Sequence, residues 1–262
     1  MDQARSRLAI ADAAPGGVKL LTLNTHKGFT SFNRRFVLHE LREAVHAAAA
    51  DIVFLQEVLG SHDTHAAAHS NWPAEPQYQF LAGSIWGSVA YGRNAVYSEG
   101  HHGNAVLSKF PIVHFENHDI SVGRSEERGL LHCVIKLPNV VAEVHAICTH
   151  LALHEAERRQ QVRRLCDLVE QRVPPTAPLF IAGDFNDWRN QAHAVLRRCG
   201  GIAEAFEQAQ GRVARSFPAQ LPLLRLDRIY FRNAQLLRTA VLSSRPWSRL
   251  SDHAALTAEL SL

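Results

Sequence analysis

Residues 179–187 read Leu-Phe-Ile-Ala-Gly-Asp-Phe-Asn-Asp, an apolar run that breaks at Gly183 into acidic and amide side chains. Unbroken apolar character over a few residues, rather than alternation, marks a strand covered on both faces. The same pattern recurs outward along the chain. Val18–Asn24 (VKLLTLN) ends in Asn24, and Asp51–Glu57 (DIVFLQE) ends in Glu57. Val141–Thr149 runs into His150, Leu226–Phe231 carries Asp227 near its start, and Ser251-Asp252-His253 opens the run His253–Leu260. Each packing-driven stretch surfaces at an ionisable or amide group. Rigid strands hold such groups to a fraction of an ångström, as a reactive site requires. Converging carboxylates repel one another, and a hard divalent cation relieves that repulsion. Oxygen ligands with few cysteines favour Mg2+ or Mn2+ over zinc.

The chain has 262 residues, 46% hydrophobic and 20% charged, which supplies a sizeable core and excludes general disorder. No window holds about 18 uninterrupted apolar residues, so no transmembrane helix is expected. Residues 1–17 read as a loose tail ending in Pro15-Gly16-Gly17, without the apolar segment of a secretory signal, and 18–262 as one catalytic domain. The net charge of +3 does not demand nucleic acid or an anionic membrane. Lysine is rare (Lys19, Lys27, Lys109, Lys136), and arginine carries most of the positive charge. Cys133, Cys148, Cys166 and Cys199 show no CxxC spacing, so a reducing, cytoplasmic setting is expected. No feature calls for an obligate protein partner.

Between the strands, Asn33–Ala50 and His154–Arg172 show helical spacing, the second with Val162, Leu165 and Val169 inward and Arg158, Arg159, Arg163 and Arg164 on a solvated face. Gln191–Arg198 reads as a short helix, Asn104–Ser108 as a short strand and Gln235–Leu242 as a strand. Leu130–Leu137 and Val141–Thr149 form a hairpin about Pro138-Asn139. Residues 60–103 show little periodicity and read as loops with one short helix. Antiparallel and crossover connections together predict two packed sheets with helices outside.

The local sequences LTLNTHKG (21–28), LQEV (55–58), GNAVLSKFPI (103–112), THL (149–151), GDFND (183–187), LDRIY (226–230) and SDHAAL (251–256) resemble the endonuclease/exonuclease/phosphatase superfamily, the DNase I-like fold. The resemblance spans about residues 18–260. Within it, NTHKGF, EGHHGNAVLSKFPI and RLDRIY look closest to bacterial members similar to the catalytic domain of GPI-lipid remodelling proteins. The resemblance implies a four-layer α/β sandwich, two packed mixed sheets flanked by helices, and divalent-metal hydrolysis of a phosphoester. It implies metal contacts from Glu57 and Asn24, with Asp252 as a further carboxylate. Asp184 would align or deprotonate the attacking water and Asn186 hold a phosphate oxygen. His253, paired with Asp227, would contact the scissile phosphate, and His150 would sit across it; either His150 or a metal-bound water would supply a proton to the leaving group. The family's abasic-site nucleases often carry an acidic residue where His26 stands and a Tyr where His150 stands; both differences count against that activity.

Further candidates surround these. Lys27 reaches the ligand from beyond the first strand, beside His26. His101 and His102 either line the mouth or lie on a solvated loop, and Asn104 touches phosphate or braces a site residue. Arg124 and Arg128 bind a second phosphate or form surface ion pairs. The substrate is open among nucleic acid, a phospholipid headgroup and a small phosphodiester. A non-catalytic phosphate-binding module is the reading of a different class.

Overall fold

Apolar runs become central strands because both of their faces are covered. The computed structural model describes residues 17–123, 126–138 and 140–262. In chain order the first elements are β1 (Gly17–Asn24), α1 (Leu38–Ala47), β2 (Ile52–His62), α2 (Asp63–Ala68), α3 (Gln77–Ala82), β3 (Ser88–Tyr97) and β4 (Gly100–Ser108). There follow β5 (Ile112–Asp119), β6 (Gly129–Ile135), β7 (Val144–His150), α4 (Glu155–Arg172), β8 (Leu179–Asp184) and α5 (Gln191–Leu196). The last are β9 (Ala203–Glu204), α6 (Ala205–Gln210), β10 (Asp227–Arg232), β11 (Gln235–Leu242) and β12 (Ala255–Ser261).

The strands make two six-stranded mixed sheets, ordered β11-β12-β1-β2-β4-β3 and β5-β6-β7-β8-β10-β9. Leu20, Phe54 and Val106 of one sheet and Cys148, Phe180 and Ile229 of the other share one buried cluster, so the sheets face each other across it. A second cluster joins Leu21, Val53 and Leu55 to Leu38 and Leu41 of α1. A third joins Ile147 and Ile181 to Val162, Leu165 and Val169 of α4. This is the expected four-layer sandwich. Its parallel pairs, β1 with β2 and β7 with β8, are each linked through a crossover helix, as parallel pairing demands.

The structure corrects the reading of 60–103. That segment contains the end of β2, the helices α2 and α3, β3 and the first part of β4. Strand β5 also went unread. Both β3 and β5 are edge strands. An edge has one neighbour and a half-exposed surface, so Gly92, Asn94, His114, Glu116 and Asn117 are tolerated and erase the apolar signal. The first helix begins later than expected, at Leu38, because a 3-10 turn occupies Ser31–Asn33. Residues 1–16 of the expected tail, Asn139 of the hairpin turn, and Arg124 lie outside the described residues.

Arg158 is a further correction. It is buried rather than solvated. Its guanidinium donates to the carbonyls of Ala152 (3.0 Å) and Leu153 (2.8 Å), lies 3.9 Å from Asp187 Oδ1, and packs 5.1 Å from the Trp188 ring. Asp187 accepts from the backbone N–H groups of Gln191 (2.8 Å) and His193 (3.0 Å) at the start of α5. One cation thus ties α4 to the loops that follow β7 and β8. Arg158→Ala would leave the buried Asp187 carboxylate without its neighbouring cation and two carbonyls without their donor. Urea unfolding is expected to show a loss of roughly 3–5 kcal/mol.

Candidate active site

Strand register assembles the site. In the second sheet His150 lies opposite Asp184 across the β7–β8 ladder, and Asp184 lies opposite Asp227 across β8–β10. Three ionisable residues therefore occupy neighbouring strand ends. Gly183 makes the close ladder possible: it has φ +152°, and a Cβ there would fall 1.9 Å from the Thr149 carbonyl oxygen. In the first sheet Asn24 pairs with Gln56, and Glu57 follows where the β2–β4 register shifts. Glu57 has φ +54°, a left-handed conformation costing about 1–3 kcal/mol for a residue with a side chain. Thr25 Oγ1 secures that turn by donating to the carbonyls of Gln56 (2.9 Å) and Glu57 (3.1 Å).

Side chains then join the sheets. Asn24 Nδ2 donates to Glu57 Oε1 at 3.1 Å and to Asp184 Oδ2 at 3.2 Å. His253 Nδ1 lies 2.8 Å from Asp227 Oδ2, and its Nε2 lies 3.8 Å from Asp184 Oδ2. His150 Nε2 approaches the same Asp184 oxygen at 3.5 Å. Asn186, at φ +50°, donates its backbone N–H to Asp184 Oδ1 (3.0 Å) and its amide to the Leu151 carbonyl (2.9 Å). Ser251 Oγ donates to the Asn24 carbonyl (2.7 Å) and accepts from the backbone N–H of His253 (3.2 Å). The resulting cleft, about 280 Å³, is lined by Asn24, Glu57, His150, Asp184, Asn186 and His253 and edged by apolar side chains.

Burial and charge divide the protons unequally. Burial raises Asp184 to about 6, opposed by His253 and reinforced by Asp227. Burial alone would lower His253, but Asp227 and Asp184 outweigh it and raise the ring to about 10. His150 is held well below the usual histidine range by burial, with Arg128, His253, His102 and Lys27 adding to the effect. At neutral pH the site therefore contains a protonated His253, a neutral His150 and an ionised Asp184.

The donor set suits a hard cation. Asp184, Asp227 and His253 each bring a potential ligand atom within 4.8 Å of the others. Asp227 Oδ1 is buried with no hydrogen-bond partner among the described residues. Glu57 adds a carboxylate joined to Asp184 through one amide nitrogen. Protonated, with Nδ1 engaged by Asp227, His253 is a weaker ligand than the oxygens around it.

The remaining candidates divide. Asn104 and His102 line a small hollow beside Glu57, Arg128 and His150. Asn104 braces the sheets by donating to the Gly129 carbonyl at 3.0 Å. Arg128, which lines the main cleft too, pairs with Glu126 Oε2 at 2.9 Å. Burial first, with Lys27 next, depresses His102 to about 4, despite Glu57 nearby. His26 and Asp252 approach each other at 3.9 Å and line neither cavity. Lys27 lines neither, and acts on His102 and His150 through its charge. His101 turns away: its Nδ1 meets Tyr91 Oη at 2.9 Å, and its ring covers Gly60. Sequence reasoning missed Thr25, Ser251 as a brace, and the apolar edge of Leu153, Trp188, Phe217 and Leu224. The serine stood inside the quoted SDH motif; the edge residues carried no local signal.

The endonuclease/exonuclease/phosphatase family profile matches residues 21–253. The chain belongs to that family. It is 53% identical over 244 residues to YbhP of Escherichia coli K12, described as uncharacterized, covering 93% of this chain and 96% of that one. A family member from Beutenbergia cavernae superposes with a TM-score of 0.74 at 18% identity, over 94% of this chain and 72% of that one. Danio rerio TDP2 in complex with a single-strand DNA product gives 0.73 at 18% identity, over 94% and 99%. At such identity the two structures support the fold alone.

In EDTA-treated protein, NMR titration of His253 should show the ring protonated through neutral pH and titrating near 10. Because the ring holds its proton more tightly folded than unfolded, its stabilising contribution is complete below about 6.5 and is lost as pH rises through about 10. Asp227→Asn removes the main partner, so the His253 pKa should fall from about 10, held up only by Asp184 and Asp252, and that slope of stability against pH should flatten.

Proposed function

We propose that this protein is a Mg2+- or Mn2+-dependent hydrolase that cleaves a phosphodiester by in-line attack of water. The carrying observation is the convergence of Glu57, Asn24, Asp184, Asp227, His150 and His253 around one cleft. Glu57, Asp184 and Asp227 would hold the cation, aided by Asn24. When bound, the ion supplies charge neutralisation at the phosphoryl oxygens and lowers the pKa of bound water.

The chain's own groups do the rest. Asp184 presents an ionised carboxylate to the cleft, held in place by Asn24 and Asn186, and accepts a proton from the attacking water. His253 carries its proton at Nε2 toward the same space, so it binds the anionic phosphate and can release that proton to the departing alkoxide. His150 is neutral and donates a hydrogen bond to an equatorial oxygen. The leaving-group proton is therefore assigned to His253 rather than His150. Asn186 is anchored by the Leu151 carbonyl and orients the Asp184 carboxylate through its backbone.

The substrate reading follows from the cleft's edge. Arg128 is the arginine in its lining, and Leu153, Trp188, Phe217, Leu224 and Leu226 supply much of the remainder. A nucleic acid would call for a run of cations along its backbone. A phosphodiester carrying an apolar substituent fits this lining better. In this reading residues 18–262 act as one catalytic unit, and four free thiols suit a reducing cytoplasm.

Bis(p-nitrophenyl) phosphate hydrolysis should require Mg2+ or Mn2+ and stop in EDTA. Glu57→Gln and His253→Ala should each lower kcat roughly a hundredfold or more while the circular-dichroism melt stays cooperative. Near-normal turnover in either variant would defeat the assignment.

A further inference from the structure

The loop before β10 has a construction that catalysis at the phosphate does not require. Phe217 and Leu224 form a β-bridge, closed by Phe217 N–H to the Leu224 carbonyl (3.2 Å) and Leu224 N–H to the Phe217 carbonyl (2.8 Å). Ala219 N–H donates to the Asp252 carbonyl at 2.7 Å, pinning the loop beside the SDH segment. This rigid loop exposes Leu221 (65%), Leu223 (56%) and Leu224 (41%). Across the cleft, Leu153 (53%) and Trp188 (38%) are exposed too. Apolar side chains concentrated on both banks of one cleft mark an interaction surface rather than scattered exposure.

A second feature adjoins the leucines. A hollow of about 230 Å³ is lined by Arg212, Arg215 and Arg225, with Pro222 of the same loop in its wall and no carboxylate in its lining. Among the described residues none of the three arginines makes an ion pair or hydrogen bond, and Arg225 Nε is buried without a partner. Leu224 thus faces the catalytic cleft while Pro222 and Arg225 face a cationic hollow, so the loop is the partition between them.

We propose that residues 212–225 seat the protein on a bilayer containing anionic phospholipid. Leu221 and Leu223 enter the interfacial region, and Arg212, Arg215 and Arg225 meet lipid phosphates. Unpaired cations call for an anionic partner, and exposed leucines call for an apolar phase. A phospholipid surface offers both, one above the other. A nucleic acid offers phosphates and no sink for the leucines. A second copy docked on the same face would oppose two cationic hollows. Docking in this way turns the cleft toward the headgroups, and that consequence rests on the hydrolase reading, making a phospholipid diester its substrate class.

The test is flotation of the full chain with vesicles of phosphatidylcholine alone and of equimolar phosphatidylcholine and phosphatidylglycerol. The parent should float with the anionic vesicles, less so as salt is raised, and not with phosphatidylcholine alone. Arg212→Gln with Arg215→Gln should reduce partitioning about thirtyfold. Leu221→Ser with Leu223→Ser should reduce it at least tenfold. Both pairs lie outside the catalytic cleft and should leave bis(p-nitrophenyl) phosphate turnover at the parent's value. No flotation of the parent, or variants that float like it, would overturn the proposal. So would a leucine-dependent dimer in sedimentation velocity that excludes vesicles. Flotation of a parent inactive on the soluble diester would uphold the docking and sink the hydrolase reading instead.

Discussion

The site depends on keeping acidic side chains buried together at the ends of adjacent strands. Asp184 and Asp227 face each other across a ladder rung, and neither can be moved without breaking that rung. Their repulsion is met by one protonated imidazole, His253, which touches Asp227 directly and stands 3.8 Å from Asp184. Like charges in a low-dielectric setting favour a proton or a cation at their centre. The raised Asp184 and the raised His253 are two expressions of that constraint. So is the unpartnered Asp227 oxygen, which is the kind of group a bound cation satisfies.

The rest of the molecule holds this arrangement rigid. Asn24 reaches from the first sheet to a carboxylate of the second, so the relative position of the two sheets sets the site's geometry. Arg158 performs the matching task from outside, binding α4 to the loops after β7 and β8 through carbonyls and Asp187. The polar groups of the cleft sit on strands or at their ends. Its apolar edge sits on loops at 153, 188 and 217–224, where sequence can vary without disturbing the ladders. One scaffold can therefore keep its chemistry while its neighbours in the family differ in what they bind.

Legibility in the sequence followed burial. The central strand Leu179–Asp184 was read to its boundaries, because a continuous apolar run reports packing directly; the edge strand Gln235–Leu242 was read too, because Leu236, Leu237, Ala240, Val241 and Leu242 keep its apolar signal. The edge strands β3 and β5 were not, since half-exposed edges accept Gly, Asn, His and Glu. Arg158 was misread for a related reason: helical spacing tells which residues share a face, not what that face meets. Arg158 and Gln161 lie on the buried side with Val162 and Leu165, hydrogen-bonded to carbonyls and a backbone amide that no pattern announces.

Asn24, Glu57, His150, Asp184 and Asp227 at strand ends, and the SDH segment that leads into the chain's last strand, were determined by the sequence alone, because apolar runs and their polar ends are local properties. Which of them share space is a matter of register and sheet packing. Only the tertiary structure decided that His101 turns to Tyr91, that His26 and Asp252 pair outside the cleft lining, and that burial holds His150 well below the usual histidine range. Those outcomes depend on distances and burial between segments far apart in the chain, and a charge has no definite pKa until its surroundings are folded.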